Sequence, residues 1–127
     1  MARVKLDHVG IMVRDIETSI KFYQNIVGME LKDRVPHTNG EIQLAFLGFN
    51  GSEETELELI QGYNGDLPAE GRVHHIAFTV EDIETEFERI KSLEVTLIDS
   101  EITILPNGYR YFFFHGPEGE WIEFFQR

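Results

Sequence analysis

Cysteine is missing from all 127 residues of the chain. That absence removes disulfides, thiolate metal ligands and thiol nucleophiles together, so any metal site must be built from histidine, carboxylate or backbone oxygen. Long apolar runs are missing too. The uninterrupted stretches stop at four residues, as in Tyr111 to Phe114, whereas a membrane-crossing helix needs about 20. Positive charge is scarce: 11 Lys and Arg stand against 23 Asp and Glu, a formal net charge of −12 at pH 7. So acidic a chain repels both the phosphates of nucleic acid and an anionic membrane surface. The opening MARVKLDHVG lacks the basic-then-apolar layout of a secretory signal, and a soluble, cytoplasmic protein is expected.

What is present is enough for a core. Hydrophobic residues make up 42% of the chain, ten of them Phe, and a single domain of this size buries roughly two-thirds of its unfolded surface. The chain also repeats itself, which sets the fold before any element is assigned. HVGIMVRDIETSIKFY from His8 overlies HIAFTVEDIETEFERI from His75 at an offset of 67 residues, with the run Asp15-Ile16-Glu17-Thr18 identical to Asp82-Ile83-Glu84-Thr85. The closing LELIQ of Leu57 to Gln61 answers IEFFQ of Ile122 to Gln126 at an offset of 65.

Each half reads as β-α-β-β-β. Alternation from Val4 to Val13 predicts a strand, and Asp15 then caps a helix whose apolar face is Ile16, Ile20, Tyr23 and Val27, stopped at Gly28. Asp82 caps the matching helix, with Ile83, Phe87 and Ile90 as its face. Strands are expected at Met29–Val35, Ile42–Gly48 and Glu54–Gln61, then at Val95–Ile98, Tyr109–His115 and Glu120–Gln126. The fold class is α+β, one domain of two modules at about 1–62 and 72–127. The linker lies at about 63–71, within the Gly-rich QGYNGDLPAEG. Turns are expected at Asn50-Gly51, Asn107-Gly108 and Pro117-Glu118-Gly119.

Side chains alternate across a strand, so each strand divides into two faces. Val9, Ile11 and Val13 pack under the helix while His8, Gly10 and Met12 face away; Ile76, Phe78 and Val80 pack while His75, Ala77 and Thr79 face away. The closing strands put Leu57 and Leu59 on one face with Glu56, Glu58 and Ile60 on the other. Likewise Ile122 and Phe124 oppose Trp121, Glu123 and Phe125. A carboxylate between Trp121 and Phe125 is costly to bury without a partner, and a divalent cation is a sufficient one. His8, Glu58, His75 and Glu123 therefore form an N2O2 set suited to Ni, Co, Zn, Fe or Mn. A single such His or Glu is usually structural or solvated; the weight lies in four at equivalent repeat positions. Of the other histidines, His74 is expected on the helix side, His37 in a loop and His115 at a strand end, while Glu56 reads as a solvated neighbour.

On these residues the chain resembles the vicinal oxygen chelate superfamily, and within it glyoxalase I. The resemblance runs through LDHVGIMVRDIETSIKFYQNIVGMEL, ELELIQG, VHHIAFTVEDIETEFERI and GPEGEWIEFFQR, essentially the whole length. It implies a cup-shaped, metal-binding fold in which His8, Glu58, His75 and Glu123 hold one divalent ion. It implies isomerisation of the hemithioacetal of methylglyoxal and a thiol to a lactoyl thioester, the ion stabilising an enediolate while Glu123, with Glu58 as counterpart, moves the proton. Trp121 and Phe125, with the Phe112–Phe114 region, are candidate apolar walls. The partners implied are a small-molecule substrate, such as a thiol adduct, and a second copy in a homodimer.

Two departures bear on the substrate. Glutathione-using relatives carry an Arg four residues after the first ligand and an Asn four after the second; here those positions are Met12 and Gly62. Arg14, Arg34 and Arg110 are the candidates to replace the lost Arg. The rival functions are a metal-dependent epimerase, which also moves a proton beside a carbonyl, and a metal-free antibiotic-binding module of the bleomycin-resistance kind. Extradiol dioxygenases and fosfomycin-resistance enzymes use two His and one Glu, and Glu58 speaks against both.

Overall fold

The computed structural model describes residues 6–36, 40–51, 54–62 and 73–127. The expected linker, His37 and the first residues of the expected Val4–Val13 strand lie outside them. The chain divides into two compact units, Met1–Leu67 and Pro68–Arg127, each a βαβββ module of one α+β type.

The first module comprises β1 (His8–Val13), α1 (Ile16–Phe22), β2 (Glu30–Pro36), β3 (Gln43–Gly48) and β4 (Glu56–Gln61). Its sheet has the order β1-β4-β3-β2, with β1 parallel to β4 and the other pairs antiparallel. The second comprises β5 (Ile76–Thr79), α2 (Ile83–Lys91), β6 (Thr103–Ile104), β7 (Arg110–His115) and β8 (Trp121–Gln126), in the order β5-β8-β7-β6 with the same mixture of directions. Among the described residues no helix is long and apolar enough to cross a membrane.

Both helices start where the sequence places them. Asp15 accepts hydrogen bonds from the Glu17 and Thr18 amides, and Asp82 from Thr85. The bonds from Thr85, first from its hydroxyl and then from its amide, hold the Asp82 carboxyl below its ordinary range. A second cap was not foreseen. Gln61, the last residue of β4, accepts from the Ile16 amide at 2.7 Å, and Gln126, the last of β8, accepts from the Ile83 amide at 2.9 Å. The first helical N–H has no partner inside a helix; in each module the closing strand supplies one, pinning the helix start to the strand end.

The core of each module lies between helix and sheet. Ile16, Ile20 and Tyr23 pack on Ala45, Leu47, Leu57 and Leu59, all buried, and Ile83, Phe87 and Ile90 pack on Phe112, Phe114, Ile122 and Phe124. Burying each large side chain contributes roughly 1.5–3 kcal/mol. Two sequence expectations need correction. The first helix gives way to a π-helical turn over Tyr23–Val27, closed by Gly28 at φ 91°, and Val27 is only half-buried. Val95–Ile98 is not a strand but touches β7 through a single bridge, Leu97 to Phe114. The Asp99 carboxylate takes the Phe113 amide at 2.8 Å and so ends that ladder, and the edge is taken up by the two-residue β6.

Candidate functional site

In each module a glutamate on the closing strand lies in register with a small residue on one side and a phenylalanine on the other. The first row is Gly10–Glu58–Phe46 and the second Ala77–Glu123–Phe113. Because β1 and β4 are parallel and the alternation is maintained, the histidine two positions before the small residue projects from the same face. His8 Nε2 stands 3.4 Å from Glu58 Oε1, and His75 Nε2 stands 3.1 Å from Glu123 Oε1. The phenylalanine meets the histidine edge-on in both modules, Phe46 at 5.6 Å from His8 and Phe113 at 5.1 Å from His75. The small residues make this possible: a Cβ on Gly10 would stand 3.3 Å from Glu58 Oε1 and 3.1 Å from Ile60 Cδ1.

The two pairs differ in surroundings. Glu123 is buried, with 6% of its surface exposed. Burial pushes its carboxyl above the ordinary carboxylate range; His75 opposes the rise and the charge of Asp99 adds to it. His8 is held above its usual value chiefly by a 2.7 Å hydrogen bond from its Nδ1 to Asp7, which outweighs the opposing effect of burial; Glu58 adds to the rise. His75 Nδ1 is instead 2.9 Å from His74 Nδ1.

These donors suit a borderline divalent ion. Two ligands each about 2.0–2.2 Å from one ion stand roughly 3–3.4 Å apart, which is the separation of nitrogen and oxygen in both pairs. The buried Glu123 carboxylate is the kind of group whose desolvation a cation offsets. Among the described residues no group of three or more His, Asp or Glu forms a ready cluster; the unit within each module is the pair.

The remaining candidates fall on both sides of the sheets. Met12 is 41% exposed and is the next residue on the face of His8 and Gly10. Trp121 packs against Phe113 at 5.3 Å, with His74 at 5.0 Å and His115 at 6.1 Å. Phe125 stacks on Tyr111 and carries the Arg127 guanidinium 5.2 Å above its ring. Arg110 does not join them. It shares the strand face of Phe112 and Phe114 and pairs with Glu84 on α2. Arg34 is engaged equivalently with Glu17 on α1 at 2.6 Å. His74 also departs from expectation: it is exposed and lies beside His75 and Trp121 rather than under the helix. Phe46, Asp99 and Asp7 were missed. For Phe46 and Asp7 the signal was in the repeat, since the offset of 67 carries them onto Phe113 and His74.

Gly62, where glutathione-using relatives carry Asn, has φ 115°, and a Cβ there would stand 3.0 Å from Glu41 O and 3.1 Å from Ile42 Cα. A side chain at this position would be strained and tightly packed against the backbone.

Residues 5–124 match the Glyoxalase/Bleomycin resistance protein/Dioxygenase superfamily, and the chain belongs to it. It is 62% identical over 123 residues to the uncharacterized protein YwbC of Bacillus subtilis, covering 97% of this chain and 98% of that one. It is 30% identical to lactoylglutathione lyase of Neisseria meningitidis, over 98% of this chain and 91% of the relative. It is also 27% identical to human mitochondrial methylmalonyl-CoA epimerase, over 87% of this chain and 66% of the epimerase. In structure it resembles the trypanothione-dependent glyoxalase I of Leishmania major, with a TM-score of 0.79 and 28% identity over 98% of this chain and 87% of that one.

Proposed function

We propose that the chain is a metal-dependent glyoxalase I-type lyase, converting the hemithioacetal of methylglyoxal and a thiol to a lactoyl thioester in the cytoplasm. The observation that carries this reading is the duplicated His–Glu pair, His8 with Glu58 and His75 with Glu123, on matching strand faces. Together the four would hold one divalent ion (Ni, Zn, Co, Mn or Fe), brought together by the two modules of one chain or of a homodimer. The ion, when bound, supplies Lewis-acid polarisation of the substrate's vicinal oxygens.

The chain's own residues move the proton. Glu123, desolvated and pushed up in pKa, takes the proton from C1 of the hemithioacetal. Glu58 is its counterpart for delivery at C2. One proton leaves and one returns, so the isomerisation balances without an oxidant or reductant. Phe113 and Trp121 beside Glu123, and Phe46 beside His8, keep water from the charged intermediate stage.

Glutathione is disfavoured as the thiol, because a side chain at position 62 would be strained and both Arg34 and Arg110 are engaged with helix glutamates. The likeness to methylmalonyl-CoA epimerase supports a second reading, proton transfer beside a different carbonyl by the same carboxylates. The test is an ultraviolet assay of thioester formation from methylglyoxal with a panel of thiols. At least one thiol should support turnover that needs divalent metal, and Glu123→Gln should lose about 100- to 10,000-fold. Metal binding without thioester formation from any thiol would move the epimerase reading ahead.

A further inference from the structure

The residue just before each ligand histidine contacts that histidine's Nδ1. Asp7 Oδ2 is 2.7 Å from His8 Nδ1 and His74 Nδ1 is 2.9 Å from His75 Nδ1. Asp7 and His74 are themselves equivalent by the repeat, at the offset of 67. Two modules with different residue types thus build the same contact at the same place, although only one of the two partners carries a carboxylate.

We propose that Asp7 and His74 are positioning residues, each contacting Nδ1 of the following histidine so that Nε2, beside Glu58 or Glu123, is the nitrogen offered to the ion. A ligating imidazole needs one nitrogen unprotonated, and the hydrogen bond at the other nitrogen decides which one it is and how the ring is oriented. For His8 the geometry is decisive. The ionised Asp7 is an acceptor only, so Nδ1 must donate, and Glu58 at 3.4 Å is the more distant competitor. For His75, His74 is held in place by edge contacts to Trp121 at 5.0 Å and Phe113 at 6.4 Å, which keep its Nδ1 aimed at its neighbour. The half-sites are consequently unequal: His8 has a carboxylate behind it and His75 an imidazole. A carboxylate makes the imidazole the better electron donor, so the first module is the tighter half.

This inference rests on the metal reading above, and its test separates the two. Asp7 and His74 are exposed, so variants at either should fold, which circular dichroism checks. Cobalt(II) titrations followed by visible absorption and calorimetry should show affinity falling about 10- to 100-fold in Asp7→Ala and in His74→Ala. His74→Asp, which gives the second module the acceptor of the first, should restore wild-type affinity or exceed it. Independently of metal, long-range nitrogen–proton NMR of the metal-free protein at alkaline pH should show neutral His8 protonated at Nδ1, shifting to Nε2 in Asp7→Ala. If that shift occurs but cobalt does not bind to the wild type, the positioning role stands and the metal reading falls. If cobalt binds and both alanine variants leave affinity and the His8 tautomer unchanged, the positioning role is overturned.

Discussion

Gly10 stands directly opposite Glu58 in the parallel β1–β4 register, and the space where its side chain would begin is bounded by the Glu58 carboxylate and the Ile60 methyl. The second module holds Ala77 at the same place opposite Glu123. The small residue is therefore what lets the carboxylate lean toward the histidine two positions away. Gly10→Ala should be tolerated, as the second module already is. Gly10→Val should fold but weaken divalent-metal affinity about tenfold or more, read by cobalt titration. Equal affinity in the valine variant would show that the row does not control the pair.

Substitution of Gly62 is predicted to destabilise for a different reason. Its φ of 115° would strain any side chain, and the backbone atoms of Glu41 and Ile42 leave little room for a Cβ. Gly62→Asn, which would install the residue of glutathione-using relatives, should lose about 1–3 kcal/mol in urea unfolding and gain no glutathione-dependent turnover.

The closing glutamines should matter to stability rather than to chemistry. Gln61→Ala leaves the amide of the buried Ile16 without its 2.7 Å acceptor, a loss of about 1–3 kcal/mol. Amide exchange at Ile16 should accelerate in that variant, and at Ile83 in Gln126→Ala, with each effect confined to its own module.

Much of this was legible because the chain states it twice. The repeat and the alternation together identified the helix caps, the buried faces and the side of the sheet on which His8, Glu58 and Glu123 lie, and the repeat alone placed His75 beside Glu123. Alternation has no authority outside a strand, however. His74 precedes β5, which begins at Ile76, so its placement beside Trp121 was unreadable from parity. Arg110 shows the opposite failure: its parity with Phe112 and Phe114 pointed to the helix side, and its charge drew it into the site reading. The missing strand at Val95–Ile98 turned on one tertiary contact, the Asp99 carboxylate on the Phe113 amide, which no local pattern announces.

The raised carboxyl of Glu123 makes a prediction about pH. A group whose native pKa lies above its ordinary value of 4.5 contributes stability that is fully present below that value and is lost as pH rises through the native pKa. Metal-free wild type and Glu123→Gln should therefore be similarly stable in acid, with the glutamine variant becoming the more stable as pH rises to neutrality. Adding a divalent ion should reverse that order, because only the carboxylate gains a cationic partner. Thermal midpoints across pH, with and without metal, check both halves.

If the two His–Glu pairs together hold one catalytic ion, elemental analysis of the purified protein and its variants will reveal it. The wild type should carry about one divalent ion for each set of His8, Glu58, His75 and Glu123, and alanine at Glu123 or His75 should abolish it together with activity. A wild type without metal at neutral pH would favour a binding protein that needs no ion, and metal retained unchanged in His75→Ala and Glu123→Ala would show that the ion is held elsewhere.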